Sequence, residues 1–343
     1  MNKLTKVGLS ALCSSLAAVS AANAGDMTVT GGVDMSWYSA GGNSGETGNP
    51  IGMGSNLTFT GAGELDNGWT FDLTVAMLNS DVYSNTNVTV DMQSFGKIDV
   101  NSGNSANGID AFDDKMPTAW EEPWGMGLGT GVQLVKGVGT NSNVQYTTPS
   151  LAGTTITFAH AADMGSADVA DKGHSTTAGG ISGRGYDATI NINPSLGTEI
   201  LSGLNMFVGG HLTEHYNDTA ELNDHVEGVG GLTLDIGPVS LGYAVSGIST
   251  GKTATSTDVD WYKNTMYGVA INVTDDLSFS YGYHDSKKGF VNPGVSESVE
   301  LDMSSYQVAY TLGGASIRYA VSEVNNAAYQ TGTMYDKDAK VLS

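Results

Sequence analysis

The feature that most constrains this chain is a rhythm. Runs of alternating polarity follow one another from Met27 to the end, joined in turn by a short, turn-rich link and a longer polar one. Met27–Ser39 sets the pattern: Val29, Val33, Met35 and Trp37 share one parity, while Thr28, Thr30, Asp34, Ser36 and Tyr38 share the other. Period-two alternation of this kind is the mark of a strand with one apolar face. Asn56–Leu65 and Trp69–Leu78 repeat it on either side of Asp66-Asn67-Gly68, residues that tolerate the positive φ of a tight hairpin turn. A polar connection is expected over about 79–87, then strands around Val88–Met92 and Lys97–Val100.

The alternation resumes at Asn143 and continues through Tyr186–Ile192, Val226–Ile236, Val239–Val245 and Leu277–Tyr283 to Ala315–Val321. Its phase slips at Ser304-Ser305, where the apolar positions pass from Leu301 and Met303 to Tyr306, Val308 and Tyr310. A bulge, or a strand end projecting above a bilayer, would explain the slip. Ala339–Ser343 begins a last strand that looks cut short, giving fifteen full strands and a sixteenth stub.

The mature region holds no apolar run of eighteen residues, so no helix of it is fit to span a membrane. Strands of roughly 9–11 residues are fit to do so when tilted. Inside lipid a sheet must close on itself to satisfy its edges. Short turns on one side and long loops on the other are the habit of such barrels. The rhythm therefore predicts an all-β transmembrane antiparallel barrel of about sixteen strands, wide enough to enclose an aqueous channel. Asp34, Asp72, Lys97, Asp99 and Arg318 all fall on the parity opposite the aliphatic residues, which puts them on the lumen wall and off the costly lipid face. A secreted β-protein that binds a partner through its loops explains the parity equally well but not the turn–loop rhythm.

The N-terminus reads as a signal peptide over residues 1–24, with barrel from 25 to 343. Lys3 and Lys6 precede an apolar stretch, and Ala22-Asn23-Ala24 forms a small-x-small cleavage site. Cys13, the one cysteine, leaves with it, so no disulfide holds the mature chain. A net charge of −22 argues against nucleic acid as a partner and suits cations.

One stretch breaks the rhythm. Asn101–Gly131 carries Asp110, Asp113, Asp114, Glu121 and Glu122 against Lys115, and shows no sustained alternation. A long loop of this kind is generally functional or disordered. Other motifs lead nowhere. His211-Leu212-Thr213-Glu214-His215 matches a zinc pattern that needs a helix, but it lies in a strand-like run. Gly247-Ile248-Ser249-Thr250-Gly251 matches a nucleophile elbow without its helix. No catalytic constellation is found and no enzyme activity is expected. Asp163, Asp168 and Asp171 could bridge calcium, though a solvated acidic loop accounts for them as well; no other cofactor is implied.

The signal peptide, the opening strand VTGGVDMSWYS, the hairpin LDNGWTFDLTV and SFGKIDVNSG leading into an acidic loop together resemble the Gram-negative trimeric porins, in particular the alphaproteobacterial general diffusion type. The resemblance covers essentially all of residues 25–343. It implies an outer-membrane homotrimer, surrounded by lipid, that passes ions and small hydrophilic solutes by diffusion. It also implies that the third long loop, which by count is Asn101–Gly131, bends inward and narrows the lumen, with its five acids at the constriction. Two departures stand out. Family porins often oppose the loop acids with an arginine cluster, whereas the arginines here are Arg184 and Arg318. The family also ends in an aromatic residue, whereas this chain ends in Ser343. A lumen dominated by carboxylates favours cations. A substrate-specific channel of the same fold is the alternative.

Overall fold

The computed structural model describes residues 27–42, 48–79, 81–103, 106–164, 182–194, 201–215, 223–253 and 257–343. The predicted signal peptide, Asp168 and Asp171 lie outside the described residues. No described helix is long and apolar enough to cross a membrane.

The described residues form sixteen antiparallel strands in one closed ring. They are β1 (Met27–Gly42), β2 (Ile51–Glu64), β3 (Thr70–Leu78), β4 (Asp81–Asp91), β5 (Lys97–Ser102), β6 (Asn143–Thr147), β7 (Thr154–Ala161) and β8 (Ser182–Ile192). Then come β9 (Leu204–His215), β10 (His225–Ile236), β11 (Val239–Ser249), β12 (Val259–Asn272), β13 (Leu277–Phe290), β14 (Val299–Leu312), β15 (Ala315–Asn325) and β16 (Lys337–Leu342). Every strand pairs with its sequence neighbours. The ring closes where β16 meets β1, from Trp37 opposite Leu342 to Gly42 opposite Lys337. The final six-residue strand thus pairs on both sides, with β15 as well as β1.

The parity expected from the sequence is the parity found. Val33, Met35, Trp37, Leu73, Val88, Val144, Tyr243, Tyr267 and Phe279 are exposed, while their strand neighbours face the interior of the ring. Tyr243, Tyr267 and Tyr283 stand side by side in register on the outer face, with ring centroids 5.6 and 5.7 Å apart. A row of amphipathic rings suits a membrane interface.

One expectation needs correction, and of the two alternatives for the phase slip one falls away. The polar connection placed at 79–87 is mostly strand: β4 begins at Asp81, which already pairs with Leu78, so the link after β3 is a tight turn. Ser84 and Thr86 occupy the outward positions there, and their polarity hid the strand. Nor does β14 bulge. Its register with β13 and β15 is unbroken, Glu300, Asp302 and Ser304 face outward, and Leu301 and Met303 face inward and are fully buried. Outward acids belong above the hydrocarbon, which fits the projecting strand end. The inward apolar residues are explained by what fills the ring.

Candidate functional site

The filling is the connection between β5 and β6. It runs over 103–142, eleven residues beyond the Gly131 boundary drawn from the sequence, and it contains two short 3-10 turns, Gly108–Phe112 and Pro123–Gly125. It travels across the inner face of the ring. Its outgoing limb buries Ile109, Phe112 and Met116 against Phe207, Val229, Ala244, Ile248 and Met266 of β9–β12. Phe112 and Phe207 meet with centroids 4.8 Å apart. Glycines on the wall make room: a Cβ on Gly268 would lie 2.9 Å from the Met116 Cβ, and one on Gly242 would strike Pro117.

At the middle of the loop the wall supplies polar partners. The amides of Trp120 and Glu121 both donate to Gln307 Oε1 at 3.0 Å, and Ala119 N–H donates to Ser280 Oγ at 2.8 Å. The Arg318 guanidinium lies over the Trp120 ring, 4.9 Å from its centroid, and pairs with Asp34 of β1. The returning limb buries Leu128 among Leu301, Met303, Val324, Ala327, Tyr329, Ala339 and Val341. Tyr38 Oη of β1 donates to the Gly127 carbonyl at 3.4 Å, and Lys337 Nζ of β16 donates to the Leu128 carbonyl at 3.1 Å. Apolar burial on both flanks of the loop anchors it, at roughly 25 cal/mol per Å² of apolar area removed from water. Ile109→Ala, at a fully buried position, is therefore expected to cost about 2–5 kcal/mol of loop seating. Faster tryptic cleavage at Lys115 in detergent would register the loss.

The five loop acids do not share one environment. Asp110 and Asp113 line a cavity of about 430 Å³ together with Trp124, Thr130 and Lys136. Asp114 is exposed and Glu121 half-buried, while Glu122 is buried against β12 and β13 beside Met266 and His284. Glu122 thus faces the wall rather than the passage, a correction to its expected place among the constriction acids. Burial, with Asp113, Asp114 and Glu227 nearby, pushes the Asp110 carboxyl up to about 8, against the pull of Lys136. Burial and Asp114 raise Asp113 to about 7. Burial, then Glu121 and Asp114, raises Glu122 to about 9. Like charges packed in a partly dry site resist simultaneous ionisation.

The five residues expected on the lumen wall have different surroundings. Asp34 faces inward with Arg318. Asp99 accepts from Thr89 Oγ1 at 2.5 Å and from Gln145 Nε2 at 3.4 Å. Lys97 pairs with Asp91 at 3.2 Å beside the short turn between β4 and β5. Asp72 is exposed opposite Thr89. The histidine motif lies in β9, where His211 meets Asp187 and Thr213 and His215 meets the Asn223 carbonyl. Sequence reasoning missed Lys136, Asp187, Glu227 and Gln307. The signal for the last three was inward parity: each sits between two outward positions of its strand.

A model of the Gram-negative porin family matches residues 8–336. No curated protein matches the sequence. Among solved structures, the OmpF of Salmonella typhi in complex with daunomycin aligns at TM-score 0.66 and 14% identity over 95% of this chain and 98% of that one. An anion-selective porin from Comamonas acidovorans aligns at 0.61 and 12% over 92% and 98%. The in-vitro folded, trimeric OmpT of Vibrio cholerae aligns at 0.61 and 12% over 91% and 98%. At these identities the likeness shows the fold alone.

Proposed function

The chain belongs to the Gram-negative porin family and is an outer-membrane diffusion channel, and on that premise we propose that it is a cation-preferring one, narrowed by the loop 103–142. The observation that carries this reading is the loop itself, packed across the inner face with Asp110 and Asp113 lining a cavity, Asp114 exposed and Glu121 half-buried. Lys115 and Lys136 of the loop lie beside Asp113 and Asp110 and are outnumbered by the acids, while on the wall Arg318 pairs with Asp34 and Lys337 caps loop carbonyls. An arginine-lined wall facing the acids is absent among the described residues, so negative charge comes to outweigh positive in the lumen as Asp110 and Asp113 ionise. Rings of carboxylates draw cations into a pore in the same way. A porin of the same fold is anion-selective, so the reading rests on the charge lining this lumen and not on the barrel.

Homotrimeric assembly is part of the proposal, supported by family membership. Light scattering of the detergent-purified protein is expected to give three chains per particle.

Reconstitution into planar bilayers under a KCl gradient tests the channel reading. Its reversal potential is expected to carry the sign of cation preference. Anion preference, or no conductance from a folded barrel, would overturn the proposal. A conductance that one solute blocks saturably would instead favour a substrate-specific channel.

A further inference from the structure

We propose that Asp187 of β8 and Glu227 of β10 are positioning residues that hold both limbs of the loop against one wall and thereby set the width and charge of the passage; this rests on the channel reading above. The loop leaves the wall at Ser102 and rejoins it at Asn143, so its roots decide where the acids between them sit.

Asp187 is buried and ties the two limbs together. Its Oδ2 accepts the Ile109 amide of the outgoing limb at 2.9 Å, and both its oxygens lie 3.2 Å from the Val138 amide of the returning limb. On the wall side, His211 Nδ1 lies 2.5 Å from Oδ1. Glu227 repeats the device one strand beyond His211. Its Oε2 accepts the Lys136 and Gly137 amides at 2.6 and 2.9 Å, while Oε1 meets His225 Nε2 at 2.8 Å. The His211 and His225 rings stand edge to face, with centroids 6.1 Å apart. A carboxylate withdrawn from water needs several donors around it. Each of these two has them, from the loop on one side and from a histidine on the other.

The loop is shaped for these partners. Gly108 and Gly137, one on each limb, have φ of +52° and +53°, and a Cβ on either would collide with the Asp187 carboxylate. L side chains avoid that region of backbone space, and glycine enters it freely. Register adds a second argument. Asp72, Thr89, Asp99, Gln145, Ala159, Asp187, His211 and Glu227 are directly opposed, strand to strand, from β3 to β10. The loop joins this one inner row three times, through Gly108 to Gln145, through Ile109 and Val138 to Asp187, and through Lys136 and Gly137 to Glu227.

The test compares the full-length wild type with Asp187→Asn and Gly137→Ala. The first exchange removes the charge that gathers three donors, the Ile109 and Val138 amides and His211 Nδ1. The second keeps every charge and pushes a methyl group into the carboxylate, so the idea stays testable if the first variant fails to fold. In planar bilayers both are expected to raise the frequency of brief closures at least tenfold and to lower the cation-to-anion permeability ratio at least twofold, with the β-sheet circular dichroism signal of the folded barrel retained. In detergent, trypsin is expected to cut at Lys115 and Lys136 at least tenfold faster than in wild type. Wild-type closure frequency, permeability ratio and cleavage rate in both variants would overturn the proposal. A wild type that is cut slowly but passes no current would sink the channel reading and leave the cleavage comparison to decide this one.

Discussion

Exchanging Asp110, Asp113 and Asp114 together for asparagine is expected to lower the potassium-over-chloride permeability ratio roughly three- to tenfold at pH 8.5 and low salt. A monovalent ion passing about 6 Å from one carboxylate gains about 0.7 kcal/mol if the space between behaves as bulk water, and about 3 kcal/mol at an effective dielectric of 20. A tenfold change needs about 1.4 kcal/mol, so three charges suffice even near the weaker limit. Screening sets the conditions. At 0.1 M salt the Debye length is about 10 Å, and at 1 M it is about 3 Å. In molar KCl screening is expected to bring the wild-type ratio down to that of the variant. Reversal potentials at both salt concentrations check this, and a triple variant as selective as wild type at low salt would place the source of selectivity elsewhere in the lumen.

The second large effect is on pH. Asp113, Asp110 and Glu122 stand at about 7, 8 and 9, all above the ordinary carboxylate range. Protons therefore leave the loop between about pH 6 and pH 9, and cation preference is expected to climb across that window. In the Asp110/Asp113/Asp114 variant most of the climb should vanish. Stability moves the opposite way. These groups hold protons more tightly folded than unfolded, so what they contribute is complete below the unfolded carboxylate range, near pH 4, and is lost as pH rises through 7 to 9. Asp110→Asn cannot ionise at that position. Its midpoint in thermal unfolding is expected to overtake that of wild type as pH rises from 6 to 9. Parallel curves for the two proteins would mean that Asp110 is not protonated in the folded barrel.

Much of this was legible in the sequence for one physical reason: in a barrel wall, lipid and lumen impose opposite chemistry on successive residues. Asp34, Asp72, Lys97, Asp99 and Arg318 could be assigned by parity alone, and the loop could be identified by counting strands. The rule failed where lipid or water stopped being the neighbour. Leu301 and Met303 face inward yet are apolar, because the returning limb of the loop gives them a dry partner in Leu128. That contact joins residues far apart in the chain, and alternation carries no trace of it. Ser84 and Thr86 misled in the other sense, since an outward polar pair looks like loop. Asp187 and Glu227 were visible as inward acids, but their task was not. It depends on backbone amides of the loop, and amides leave no mark in a sequence beyond the glycines that let them approach. Glu122 shows the limit of composition: five acids in one stretch look like one group, and the fold turns one of them to the wall.

The seam between β1 and β16 acquires a further meaning from the loop. Gly127 is bonded to Tyr38 on one side of the closure, and Leu128 to Lys337 on the other. Successive loop residues thus act as a stitch across the joint that completes the ring. The loop therefore belongs to the closure of the ring as well as to the passage through it, since one stretch of it holds both strands that meet there.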